Sequence, residues 1–124
     1  MIELHLSIRL PRHKRRSLLK AFEFVAAWAR AERGCLGVDL YLAVSDAYCL
    51  SYVERWKSED ELQSMLRTRH FSQLIALTES APEFIGCEFR VINEIRGLGY
   101  AAEVMGETTY PFHLADDACE KTCN

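Results

Sequence analysis

Between Tyr48 and Leu62 the chain changes its hydrophobic period within two residues, which forces a strand to run directly into a helix. Tyr48, Leu50, Tyr52, Glu54 and Trp56 share one parity and Cys49, Ser51, Val53 and Arg55 the other, so the strand presents polar and apolar groups on both faces. Ser58 and Glu61 then form a capping box. The Ser58 hydroxyl accepts from the Glu61 backbone N–H, and the Glu61 carboxylate is expected to reach back to the Ser58 N–H. The strand must therefore end beside Trp56. A large aromatic next to a carboxylate at such a junction is a candidate wall for a small-molecule pocket.

The other elements follow from the same periodicities. Ile2 to Leu10 alternates strictly, with Ile2, Leu4, Leu6, Ile8 and Leu10 against Glu3, His5, Ser7 and Arg9, and Pro11 stops it. Leu18, Leu19, Phe22, Val25, Ala26 and Ala29 recur at helical spacing, predicting a helix over 12–32 that Gly34 closes. A second strand is expected over 34–44, with Leu36, Val38, Leu40, Leu42 and Val44 on one face, and Ser45-Asp46 turns it back. After the Ser58 cap the apolar stripe changes phase, so the helix is expected to break near Arg67-Thr68 and resume with His70 in its first turn. Phe84 to Arg96 reads as a final strand, and Tyr100 to Met105 as a short edge strand or a crossing to a partner. Residues 1–105 thus make one domain, and 106–124, without a period, a flexible tail.

Strand, helix, strand, strand, helix, strand is the order of the ferredoxin-like α+β fold, an antiparallel sheet with both helices on one face. The opposite face would be left bare. On this reading it carries Tyr52 and Trp56, and a second copy packed sheet to sheet would cover it, giving a homodimer.

Composition excludes several classes. A net charge of -3 argues against nucleic acid or an anionic membrane as partner. No apolar run approaches the roughly 20 residues that span a bilayer, and the N-terminus lacks a signal-peptide core, so the chain reads as cytoplasmic. Five cysteines make an odd set, which reads as reduced thiols, with Cys35, Cys49 and Cys87 expected to be buried. Cys119 and Cys123 lie near His113, but zinc needs a fourth ligand and tighter spacing, so no metal is assigned. The basic run Arg12 to Arg16 reads as a solvated helix start.

Glu54-x-Trp56-x-Ser58-x-Asp60-x-Leu62, followed by Thr68-x-His70-Phe71-x-x-Leu74, resembles the antibiotic biosynthesis monooxygenase domain of the dimeric α+β barrel superfamily, over residues 2–96. The resemblance implies a cofactor-independent oxidation of a small aromatic or quinol substrate by dioxygen. Family position makes His70 the candidate base, and Tyr52, Trp56 and Phe71 the lining of an apolar slot. Arg90 is a candidate for stabilising an oxygen anion, and Glu54 for positioning a substrate hydroxyl. Met65 stands where many quinol-oxidising members carry a histidine. The haem-degrading branch fits less well, because its helix positions correspond to Met65 and Ile75, which leave no obvious haem ligand in that place, and His70 could ligate only with a different geometry. Each residue also has a structural reading: Trp56 as a core or interface aromatic, His70 as a solvated helix residue, Glu54 and Arg90 as a cross-strand ion pair. Two further functions stay open: a non-catalytic ligand-binding or stress-response module, and a thiol or metal-handling protein using the C-terminal cysteines.

Overall fold

A computed structural model describes residues 1–81 and 83–106, the side chain of Phe84 excepted. They fall into two compact units divided after Ile92. The first unit contains β1 (Ile2–Arg9), a 3-10 turn (Arg12–Lys14), α1 (Arg15–Arg30), β2 (Cys35–Leu42), β3 (Cys49–Trp56), α2 (Glu59–Leu66), α3 (Arg69–Glu79) and β4 (Glu83–Val91). The strands form one antiparallel sheet in the order β2-β3-β1-β4. This is the ferredoxin-like α+β fold.

The alternation of β1 dictates the core. Ile2, Leu4, Leu6 and Ile8 are all buried, joined by Leu18, Phe22, Val25, Ala26 and Ala29 of α1. Each such Leu or Ile contributes roughly 1.5–3 kcal/mol over leaving it in water. Register then sets which side of the sheet every β3 residue occupies. Tyr52 lies opposite Leu6 and Leu40, Glu54 opposite Leu4 and Val38, and Trp56 opposite Ile2 and Cys35. Cross-strand neighbours share a face, so Tyr52 and Trp56 point toward the helices and are buried there. That corrects the expectation that they occupy the bare face.

The bare face is polar instead. Glu3 bonds His5 at 2.8 Å and Arg55 at 3.2 Å, and Arg55 continues to Asp39 at 2.5 Å and the Tyr41 hydroxyl at 3.1 Å. At the sheet edge, Cys87, Phe89 and Val91 of β4 have the helix-side parity yet are exposed, so Cys87 is not the buried thiol expected.

Three further expectations shift for physical reasons. β2 contains an irregularity between Cys35 and Gly37, which throws Leu36 out of the inward set to 57% exposure, and Val44 lies exposed beyond the strand end. The last strand stops at Val91, because Ile2 begins β1 opposite it; the Ile92 N–H makes one further bond, to the Met1 carbonyl. In the second unit, Leu98–Met105 is a helix (α4), not a strand. Ala101, Ala102, Glu103 and Met105 favour helix, and Gly106 closes it in the left-handed conformation at φ 78°. In the same unit Arg96 pairs with Glu94 and lies 4.9 Å from the Tyr100 ring centroid.

The break after Leu66 occurs as expected, with Thr68 at the N-cap position of α3, although its hydroxyl donates to the Met65 carbonyl rather than capping. The Ser58 cap forms, with the Glu61 N–H donating to the Ser58 hydroxyl. The Glu61 carboxylate accepts from that hydroxyl at 3.3 Å, where the capping box would have it accept from the Ser58 N–H. Glu61 also packs against Gly34, whose φ is 86° and whose missing Cβ would lie 2.3 Å from the Glu61 carboxyl carbon. Two constraints thus converge on one glycine at the turn into β2. Gly34→Ala is expected to cost about 1–3 kcal/mol, read as a lower denaturant midpoint at unchanged m-value in urea unfolding followed by circular dichroism.

Candidate active site

The most unusual group in the core is a carboxylate. Glu54 is 0% exposed, placed there by the same parity that buries Tyr52 and Trp56. An unpartnered buried carboxylate would be prohibitively costly, so its neighbours must supply donors. Three do. The Tyr52 hydroxyl donates to Oε2 at 2.5 Å, the Trp56 Nε1–H to Oε1 at 3.1 Å, and His70 Nε2 lies 2.7 Å from Oε2. Tyr52 and Trp56 flank Glu54 on the same strand face, whereas His70 comes from the first turn of α3, sixteen residues away.

Burial raises the Tyr52 phenol far above its ordinary value, reinforced by the charge of Glu54 and by the hydrogen bond to it, so the phenol stays a donor. The Trp56 indole can only donate. In a neutral imidazole, donation from Nε2–H to Glu54 leaves the lone pair on Nδ1. His70 is 1% exposed, and its Nδ1 has no hydrogen-bond partner. Trp28 of α1 meets the imidazole edge-on, with ring centroids 6.3 Å apart. The arrangement is that of a carboxylate-oriented imidazole, which can take a proton from a hydroxyl brought to Nδ1.

The sequence-predicted residues divide. Glu54, Tyr52, Trp56 and His70 converge. Trp56 and Tyr52 pack as donors to Glu54 within the core and do not line an open slot. Met65 is buried in the same core and Phe71 packs against it. Arg90 stands apart: it bonds Glu88 at 2.9 Å, and its opposite number on β1 is Glu3 of the polar face. The anticipated Glu54–Arg90 pair does not form, since the two side chains lie on opposite faces of the sheet. Trp28 was missed from sequence; its signal was a second apolar pair, Phe24 and Trp28, four residues apart beside the main stripe of α1.

The basic run is ordered by an aromatic. The Arg12 and Arg15 guanidinium carbons each lie 5.7 Å from the Tyr48 ring centroid, and Arg15 Nε donates to the Ala47 carbonyl at 2.9 Å. These contacts tie the start of α1 to the β2–β3 connection. Among the described residues no group of three His, Cys, Asp or Glu side chains is arranged to hold a metal ion. His113, Cys119 and Cys123 lie outside the described residues. No helix among them is long and apolar enough to cross a membrane.

Comparison with known proteins agrees with this topology. A family model described as antibiotic biosynthesis monooxygenase matches residues 1–77, which include every member of the Glu54 cluster. The chain belongs to that family. Among solved structures, a candidate antibiotic biosynthesis monooxygenase from Deinococcus radiodurans is similar at a TM-score of 0.70 with 16% identity, over 77% of this chain and 96% of that one. A conserved protein from Methanosarcina mazei Go1 superposes at 0.64 with 18% identity, covering 76% and 92% of the two chains. A protein from Bacteroides thetaiotaomicron, described as of unknown function and a possible oxidoreductase, superposes at 0.59 with 20% identity, covering 72% and 89%. At these identities the structural likeness speaks for the fold. No curated protein sequence matches the chain.

The buried phenol gives the cluster a pH signature. A group whose protonated form is favoured in the folded state contributes fully below its unfolded value of about 10, and that contribution is lost as pH rises above it. Unfolding free energy should therefore fall by about 1.4 kcal/mol per pH unit above pH ~10 on account of Tyr52. In Tyr52→Phe, urea titrations across the alkaline range are expected to show lower stability at neutral pH and a shallower alkaline decline.

Proposed function

We propose that this protein is a cofactor-independent monooxygenase that oxidises a small aromatic or quinol substrate with dioxygen, using His70 as general base. The observation that carries this reading is the Glu54–His70 pair, with Glu54 holding Nε2 and Nδ1 left unpartnered within the core. Deprotonation of a phenolic hydroxyl by Nδ1 makes an electron-rich anion able to reduce dioxygen directly. One oxygen atom then enters the substrate as a quinone carbonyl and the other leaves as water, the ring C–H and phenolic O–H giving the two protons of that water and the substrate losing four electrons in all. Glu54, Tyr52 and Trp56 are positioning residues in this scheme, fixing the orientation and tautomer of the imidazole. Arg90, held by Glu88 on the other side of the sheet, takes no part.

A second reading has its own support. Met65 occupies the position where many quinol-oxidising relatives carry histidine, and it is buried in the core. A protein that binds such ligands without turning them over would retain the same cluster as a structural knot. Oxygen uptake with a panel of hydroquinones and anthrone-like phenols, in the presence of chelator, separates the two. The catalytic reading expects turnover that falls by about 10²–10⁴-fold in His70→Gln. Absence of turnover across the panel would favour the binding module.

We also infer that the chain acts as a homodimer through the polar sheet face, which no helix of the first unit covers and on which Val53 and the Glu3–Arg55–Asp39 chain lie. Sedimentation equilibrium at micromolar concentration should return twice the 14.2 kDa chain mass. Arg55→Glu, which sets like charges beside Glu3 and Asp39, should shift it toward monomer.

A further inference from the structure

We propose that the ligand is held along the seam between α1 and α3, and that Trp28 controls its access to His70. The seam has a simple register. Ala21 and Val25 of α1 line one cavity with Gln73 and Leu77 of α3, and Trp28 and His70, each three residues from Val25 and Gln73 along its own helix, are in ring contact. A cavity of about 340 Å³ is lined by Ala21, Phe24, Val25, Gln73, Ala76 and Leu77. It begins roughly 4.5 Å, three residues of helix, from the Trp28–His70 contact.

Three features of the seam define what it takes. Its volume is in the lower part of the range of small-molecule sites, about 300–1,000 Å³. Its lining carries no charge and a single amide, Gln73, so it suits a neutral, apolar body. Phe24, at 70% exposure, offers a large ring to solvent where the fold gains nothing from it, and a flat ligand would cover it. His70, whose buried Nδ1 is unpartnered, lies three residues before Gln73 on α3. A neutral planar molecule with one hydroxyl matches both halves, its rings in the groove and its O–H toward the imidazole. An anion does not, because the Glu54 carboxylate lies immediately behind His70.

Trp28 stands between groove and base. It is 38% exposed while its edge meets the buried imidazole, so a rotamer change is sufficient to move the indole outward without disturbing the core. Access to His70 is then a side-chain event, not a separation of sheet and helices.

This location rests on His70 being the base, and the test separates the two. Calorimetric titration of the full chain with naphthol, and with naphthalene as the analogue lacking the hydroxyl, measures binding without chemistry when done anaerobically. Naphthol is expected to bind at least tenfold tighter than naphthalene. Ala76→Phe, which fills the groove from an exposed position, should weaken naphthol at least tenfold at an unchanged melting temperature. Phe24→Ser asks the same question if that variant fails to fold. Trp28→Ala should raise the stopped-flow association rate at least fivefold. Equal naphthol affinity in wild type and the groove variants, or no binding at millimolar ligand, would overturn the seam. Turnover that survives Ala76→Phe unchanged would overturn the seam while leaving the monooxygenase; seam binding without oxygen consumption would do the reverse.

Discussion

A carboxylate at the centre of an apolar layer governs how this fold is assembled. Glu54 cannot be buried alone, and each of its two oxygens is satisfied by a side chain that is itself buried. Tyr52 and Trp56 reach it along β3 with no long-range constraint. His70 does not: its bond to Glu54 fixes the first turn of α3 over the middle of the sheet. The break between α2 and α3 makes that placement available, because a continuous helix through 67–68 would carry His70 onto another phase. One polar contact thus couples helix segmentation, sheet register and the orientation of a titratable ring.

In the proposed function the same contact directs the chemistry toward the helices. The sheet is asymmetric, apolar with one embedded carboxylate on its helix side and laced with ion pairs on the other. Arg90 and the Glu3–Arg55 chain lie on the polar side, where they organise a surface; Glu54 and His70 lie on the other, where a low dielectric strengthens every interaction among them. In the proposed scheme the ligand meets His70 from the helical layer, along the α1–α3 seam.

The sequence was most legible where one physical signal acted alone. The alternation of β1, the stripe of α1 and the Ser58 cap each specify an element locally, and each is present. It was least legible where two signals competed. In β3 both faces carry polar groups, so alternation alone does not choose a side for Tyr52 and Trp56; pairing with Leu6 and Ile2 does. Leu36 follows the alternation of its strand but is displaced by a local irregularity that no periodicity predicts. Leu98–Met105 contains too few residues for either period to dominate, and the left-handed glycine after it resolved the ambiguity toward helix. Trp28 falls beside the main hydrophobic stripe, where its pairing with Phe24 marks a second apolar strip on α1 but not what that strip meets.

What the sequence by itself determined is the set and order of elements from β1 to β4, the cap that ends β3, and the family to which Glu54, Trp56 and His70 point, because caps and periodicities are interactions between residues close along the chain. The partners of Glu54, the face occupied by Trp56, the separation of Arg90 from the cluster and the alignment of Trp28 with His70 were decided by tertiary structure. Each depends on register between strands or helices distant in sequence, and a displacement of one residue in that register would send the side chain to the opposite face.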